Sequence, residues 1–112
     1  MCGIFAWLTR QNTAPPNLKQ ARNAVTELAH RGPDGDGEWL QDGIYLGHRR
    51  LRIIDLSDAA DQPFVTADGS LVVTYNGEIY NYLELAEELR REGASFRTGS
   101  DTEAVSYTHL TL

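Results

Sequence analysis

The sequence predicts an α+β domain, and three observations carry that prediction. Short apolar or β-branched runs such as Gly3–Leu8 and residues 71–75 are too brief for stable helices and read as strands. Two stretches, 18–29 and 82–92, repeat apolar residues at helical spacing. The strands fall in hairpins rather than alternating strictly with helices, which favours α+β over a doubly wound sheet. Taken in order, the first strand, Gly3–Leu8, is broken by the polar stretch 11–16. Asn17 can cap a helix whose Leu18, Ala21, Val25, Leu28 and Ala29 step by three and four, and which must stop near Arg31-Gly32-Pro33. After the turn cluster 34–37, strands around 38–40 and 44–47 flank Asp42-Gly43, a hairpin signal. Leu51, Ile53, Ile54 and Leu56 suggest a further strand, running into the polar loop 57–63. The strand 71–75 ends at Asn76-Gly77, a pair at home in left-handed turns. A second helix fits 82–92, with Asn81 as cap, Leu85, Ala86 and Leu89 on one face, Glu87 with Arg91 at i,i+4, and Gly93 as terminator.

Composition narrows the function. With 10 basic and 16 acidic residues in 112, the formal charge is −6, so no large positive field exists to hold phosphate backbones or an anionic bilayer. Neither nucleic acid nor membrane is expected as a partner. The longest apolar stretch, residues 4–8, falls far short of the roughly 20 residues of a spanning helix, and no basic segment precedes it. A cytoplasmic protein beginning at Met1 is expected. A single cysteine can make neither an internal disulfide nor a multi-thiolate zinc site. His30, His48 and His109 lack zinc spacing and read as packed or solvent-facing. The run from Asp34 to Glu38 resembles a calcium loop, but its sixth position is Trp39 and its twelfth Tyr45, so no metal site is expected.

Cys2 is the most informative residue. A lone cysteine is usually a small buried hydrophobe. At position 2, however, removal of Met1 sets the thiol beside an α-amine whose reference pKa is about 7.7–8.0, low enough to serve as base for its own thiol. Asn76-Gly77 can offer an amide N–H₂ and a backbone N–H to an oxyanion, though the same pair is also the commonest hairpin turn. Arg50 can grip a carboxylate through its planar fork, and Glu78 and Asp101 can hold an ammonium. Arg49, Arg50 and Arg52 read equally as a solvated strand face, and Ser100-Asp101-Thr102-Glu103 as a helix capping box.

The stretches MCGIFAW, HRGPDGDG, LGHRRLRIIDLSDAADQPF, VVTYNGEIYNYLELAEEL and FRTGSDTE, in that order, closely resemble the N-terminal glutaminase domain of glutamine-hydrolysing asparagine synthetases, a class II glutamine amidotransferase. The resemblance covers 1–103 and implies an N-terminal-nucleophile αββα sandwich, antiparallel sheets flanked by helices, here truncated. It implies Cys2 as nucleophile, and Asn76 and Gly77 as oxyanion hole. It further implies Arg50 on the glutamine α-carboxylate, backbone groups of Ile53 and Ile54 lining the pocket, and Glu78 with Asp101 on the α-ammonium. L-glutamine is the implied substrate, with no cofactor in this portion. ATP and Mg²⁺ belong to a synthetase domain that amidates aspartate and has no counterpart here, since no Gly-rich phosphate loop is present. The implied partners are that synthetase domain of the parent chain and a second copy in a homodimer of the full-length parent. The alternatives are another class II amidotransferase and a silent amino-acid-binding module.

From Ala104 the sequence departs from the pattern. Residues 104–112 are Thr-rich, with poor helix propensity, and read as an atypical, foreign or read-through tail. The remaining sandwich strands would then be missing, leaving sheet edges and apolar faces uncovered.

Overall fold

The α+β class expected from the hairpin pattern is the class of the fold. The computed structural model describes residues 2–52, 61–77 and 79–111, with the backbone alone for 109–111. The order is β1 (Gly3–Leu8), α1 (Leu18–Thr26), β2 (Gly35–Gln41), β3 (Ile44–Arg50), β4 (Phe64–Val65), β5 (Val72–Val73), α2 (Tyr82–Arg91) and α3 (Asp101–Thr111). One antiparallel sheet runs β1-β3-β2, and β4 pairs with β5 in a second.

The β2–β3 hairpin closes at Asp42 and Gly43, whose φ values of 53° and 78° are the left-handed pair that matches strand twist. Its register runs from Gln41↔Ile44 to Gly35↔Arg50, so both strands exceed the lengths read from the sequence. β1 lies on the other side of β3, from Leu8↔Ile44 to Gly3↔Arg49. Side chains alternate across this sheet. Phe5, Trp7 and Tyr45 share the face on which α1 lays Ala21 and Val25. Gly47 makes the close approach possible, because a Cβ there would run into the Val25 side chain. At the head of α1 the Asn17 side chain accepts the Gln20 N–H at 3.0 Å, the predicted cap. The helix stops at Thr26 rather than running to residue 29. Turn bonds from Leu28, Ala29 and Arg31 then carry the chain to Gly32.

A second core lies between α2 and α3, where Leu89, Ala104 and Tyr107 are buried with Leu85, Ala94 and Phe96 packed against them. The Phe96 and Tyr107 rings meet edge to face at 5.0 Å. Gly93 ends α2 with φ 103°, as predicted, while Asn81 makes no side-chain capping bond.

Further expectations differ from the structure. Only Val72–Val73 of the run 71–75 is strand, and Leu51 and Arg52 lie in no strand. The rest of that suggested strand, Ile53, Ile54 and Leu56, lies outside the described residues. Residues 104–111, read as poor helix formers, continue α3. Burial overrides propensity there: Ala104 and Tyr107 fill the α2–α3 core. The Ser106 and Thr108 hydroxyls bond back to the Thr102 and Ala104 carbonyls, each at 2.9 Å.

Candidate active site

Cys2 stands one step before β1, so the β1–β3 register sets it beside the end of β3. Its half-buried Sγ accepts the Leu51 N–H at 3.3 Å and faces the Leu51 carbonyl at 3.8 Å. Arg31 Nε donates to the Cys2 carbonyl at 3.1 Å. Sheet pairing thus sets position 2 beside residue 51, although β1, α1, β2 and β3 lie between them in sequence.

Arg49, Arg50 and Arg52 do not form a solvated strand face. Arg50 is buried and donates from Nη1 to Asp61 Oδ1 at 2.8 Å, while Arg52 Nη2 meets the other oxygen of Asp61 at 3.0 Å. Arg49 Nε donates to the Gly32 carbonyl at 2.8 Å. The carboxylate-gripping residue foreseen at position 50 therefore already holds a carboxylate of its own chain. Asp61 was not foreseen, because an acid in a polar loop carries no periodic signal.

Asn76 and Gly77 are exposed and do not form the left-handed turn their sequence suggests. Neither has positive φ; among the described residues that conformation belongs to Asn12, Asp42, Gly43, Gly69 and Gly93. Their neighbours are tied down instead. The Tyr75 N–H donates to Gln62 Oε1, and the Tyr75 carbonyl lies 3.2 Å from His48 Nε2. Beyond the pair, the Ile79 N–H donates to Asp101 Oδ2 at 2.9 Å. Asp101, expected on a ligand ammonium, is buried at the start of α3 and holds this backbone. The capping-box reading is half right: Ser100 Oγ accepts the Thr102 N–H at 3.2 Å, but Glu103 turns elsewhere. Ile53, Ile54 and Glu78 lie outside the described residues.

His48, fully buried on β3, is the packed histidine the sequence allowed. Burial holds it below the ordinary value of 6.5; the nearby Arg50 charge acts the same way, against the Tyr75 carbonyl and Asp61. The unfolded chain therefore takes up a proton near pH 6.5 that the folded chain refuses. The stability His48 contributes is complete above that pH and falls as acid is added. Glu38 carries a separate, more acidic dependence, since hydrogen bonds from Arg22 and then Tyr45 hold its carboxyl below 4.5. The thermal midpoint is expected to drop between pH 7.5 and 5.5, and His48→Gln to flatten that part of the profile. An equally steep profile in His48→Gln would assign the effect to another group.

Among the described residues no helix is long and apolar enough to cross a membrane, and no three His, Cys, Asp or Glu side chains gather to hold a metal ion. An α+β fold with antiparallel sheets and its one cysteine at the head of the first strand is consistent with the N-terminal-nucleophile class. Residues 1–111 match the glutamine amidotransferase domain, and the chain belongs to that family. Among similar proteins, asparagine synthetase [glutamine-hydrolyzing] 1 of Bacillus subtilis is 45% identical over 113 residues, covering 97% of this chain and 17% of its own length. Asparagine synthetase [glutamine-hydrolyzing] 1 of Arabidopsis thaliana is 39% identical over 109 residues, with 97% and 18% covered. The Sandersonia aurantiaca enzyme of that name is 40% identical, with 97% and 20% covered. The chain thus spans about a fifth of the length of these curated relatives.

Proposed function

We propose that the chain is the glutaminase portion of an asparagine synthetase, releasing ammonia from the side-chain amide of L-glutamine. The observation that carries this reading is the half-buried Cys2 thiol at the head of β1, beside Leu51 and the end of β3, in a chain of the glutamine amidotransferase family. After loss of Met1, the Cys2 amine takes the thiol proton and Sγ attacks the amide carbon. The oxyanion meets the Asn76 side-chain amide and the Gly77 N–H. The C–N bond then breaks, the proton on the amine passes to the leaving ammonia, and water hydrolyses the glutamyl thioester to glutamate and free thiol. Arg50 holds the substrate α-carboxylate beside its bond to Asp61, since five donors suffice for both. Glu78 and Asp101 face the α-ammonium, and backbone groups of Ile53 and Ile54 line the pocket. Ammonia passes to the synthetase portion of the parent, where ATP and Mg²⁺ serve the amidation of aspartate to asparagine.

Binding and turnover separate in this scheme. Arg50→Lys keeps the charge and loses the planar fork, so KM for glutamine is expected to rise with kcat nearly unchanged. Asn76→Ala is expected to lower kcat by about 10²–10³ with little change in KM, because its donor matters most once the oxyanion exists. Ammonia-release kinetics check both, and one shared signature for the two variants would contradict the roles.

A further inference from the structure

The Tyr75 peptide is gripped on both sides by side chains from elsewhere in the fold. His48 Nε2 faces its carbonyl at 3.2 Å, and Gln62 Oε1 accepts its N–H. We propose that His48 and Gln62 are positioning residues that hold the Asn76–Gly77 segment in its oxyanion-binding shape. The inference rests on the glutaminase reading above.

His48 is fully buried, and its Nδ1 has no hydrogen-bond partner among the described residues. A nitrogen facing a carbonyl must carry the proton, so the ring is the Nε2–H tautomer, and its one donor goes to Tyr75. Packing alone does not explain this residue. An apolar side chain would fill the same core position without leaving an orphaned buried nitrogen. Gln62, also buried, extends the grip: its Nε2 donates to Thr102 Oγ1 at 3.1 Å in the first turn of α3. The adjacent Asp101 holds the Ile79 N–H at 2.9 Å. The exposed pair is therefore bracketed by bonds to β3 and to α3. Gly37, opposite His48 in the sheet, lets the Gln62 carbonyl come close, since a Cβ there would collide with it.

β3 also carries Arg50 on the same face as His48, two residues on, and Leu51, the residue that follows it, donates to Cys2 Sγ. One rigid strand thus references the carboxylate grip, the nucleophile and the oxyanion segment to each other. Donors fixed in this way need no reorganisation when the oxyanion forms.

The test compares His48→Gln, whose amide nitrogen falls where Nε2 was, with His48→Asn, whose amide stops short. His48→Asn is expected to lower kcat for ammonia release about tenfold with KM within about twofold, and His48→Gln to restore most of the loss. Amide hydrogen exchange at Tyr75 and Ile79, whose N–H groups are held by Gln62 and Asp101, supplies a readout independent of turnover. It is expected to quicken about tenfold in His48→Asn and to stay near wild type in His48→Gln. Gln62→Met, which leaves the imidazole in place, is expected to quicken the same amides. Indistinguishable Asn and Gln variants, or unchanged exchange in Gln62→Met, would overturn the proposal. Absence of ammonia release by the unsubstituted protein would instead overturn the glutaminase reading, with the exchange comparison still deciding the positioning roles.

Discussion

Replacing Cys2 by alanine is expected to abolish covalent labelling by a diazo-ketone analogue of glutamine and to cut ammonia release severely. The loss should be on the order of 10⁴–10⁶, the scale on which deleting a covalent nucleophile lowers kcat. Cys2→Ser should be nearly silent as well, because an α-amine near neutrality can ionise a thiol but is far too weak to generate an alkoxide. The same base requirement makes labelling depend on processing: molecules that retain Met1 have no free amine at position 2. Intact-mass spectrometry of the labelled protein therefore should find the adduct only on chains lacking Met1. Adduct formation that persisted in Cys2→Ala would place the nucleophile elsewhere.

The second large effect is on stability and lies outside the nucleophile. Glu103 is fully buried, and its carboxylate accepts the Arg97 N–H at 2.9 Å, the Thr98 N–H and hydroxyl at 2.8 Å, and the Tyr107 hydroxyl at 2.8 Å. Glu103→Leu would remove the acceptor and strand all these donors in the α2–α3 core. A cost of roughly 3–5 kcal/mol is expected, a large share of the 5–15 kcal/mol that holds a typical domain together. Glu103→Gln keeps one carbonyl oxygen and should fall between. Urea unfolding read by circular dichroism, with exchange of the Arg97 and Thr98 amides, measures it. A Leu variant within about 0.5 kcal/mol of the parent, the range of ordinary surface substitutions, would show that the network contributes little.

What could be read in advance follows the range of the interactions involved. Gly3–Leu8, the Asn17 cap, the Asp42-Gly43 turn and the Gly93 terminator depend on neighbours within a few residues, and each appears where the local pattern puts it. The Asn76-Gly77 turn failed because distant groups won: His48, Gln62 and Asp101 hold the flanking peptides in a conformation that local propensity does not favour. Residues 104–111 failed for the same reason, with burial of Ala104 and Tyr107 outweighing weak helix propensity. At the candidate site, Cys2, Arg50, Asn76, Gly77 and Asp101 are the residues that type and order single out. Their supports, Asp61, Gln62 and His48, are not, because a buried polar partner has no period in the sequence.

The two-residue turn at Asp42 and Gly43 also fixes the order in which the large sheet closes. β2 and β3 are joined by the shortest loop a hairpin allows, so their pairing closes within microseconds at small entropic cost. β1 must bridge α1 and β2 before Leu8 can find Ile44. Such long-range pairing is slow, and it is the step that seats the cysteine. During synthesis the amino terminus emerges first and can pair only once β3 exists, so on the proposed glutaminase reading the Met1–Cys2 bond stays open to an aminopeptidase through that interval. On that reading, trimming of Met1 precedes the pairing that sets Cys2 beside Leu51.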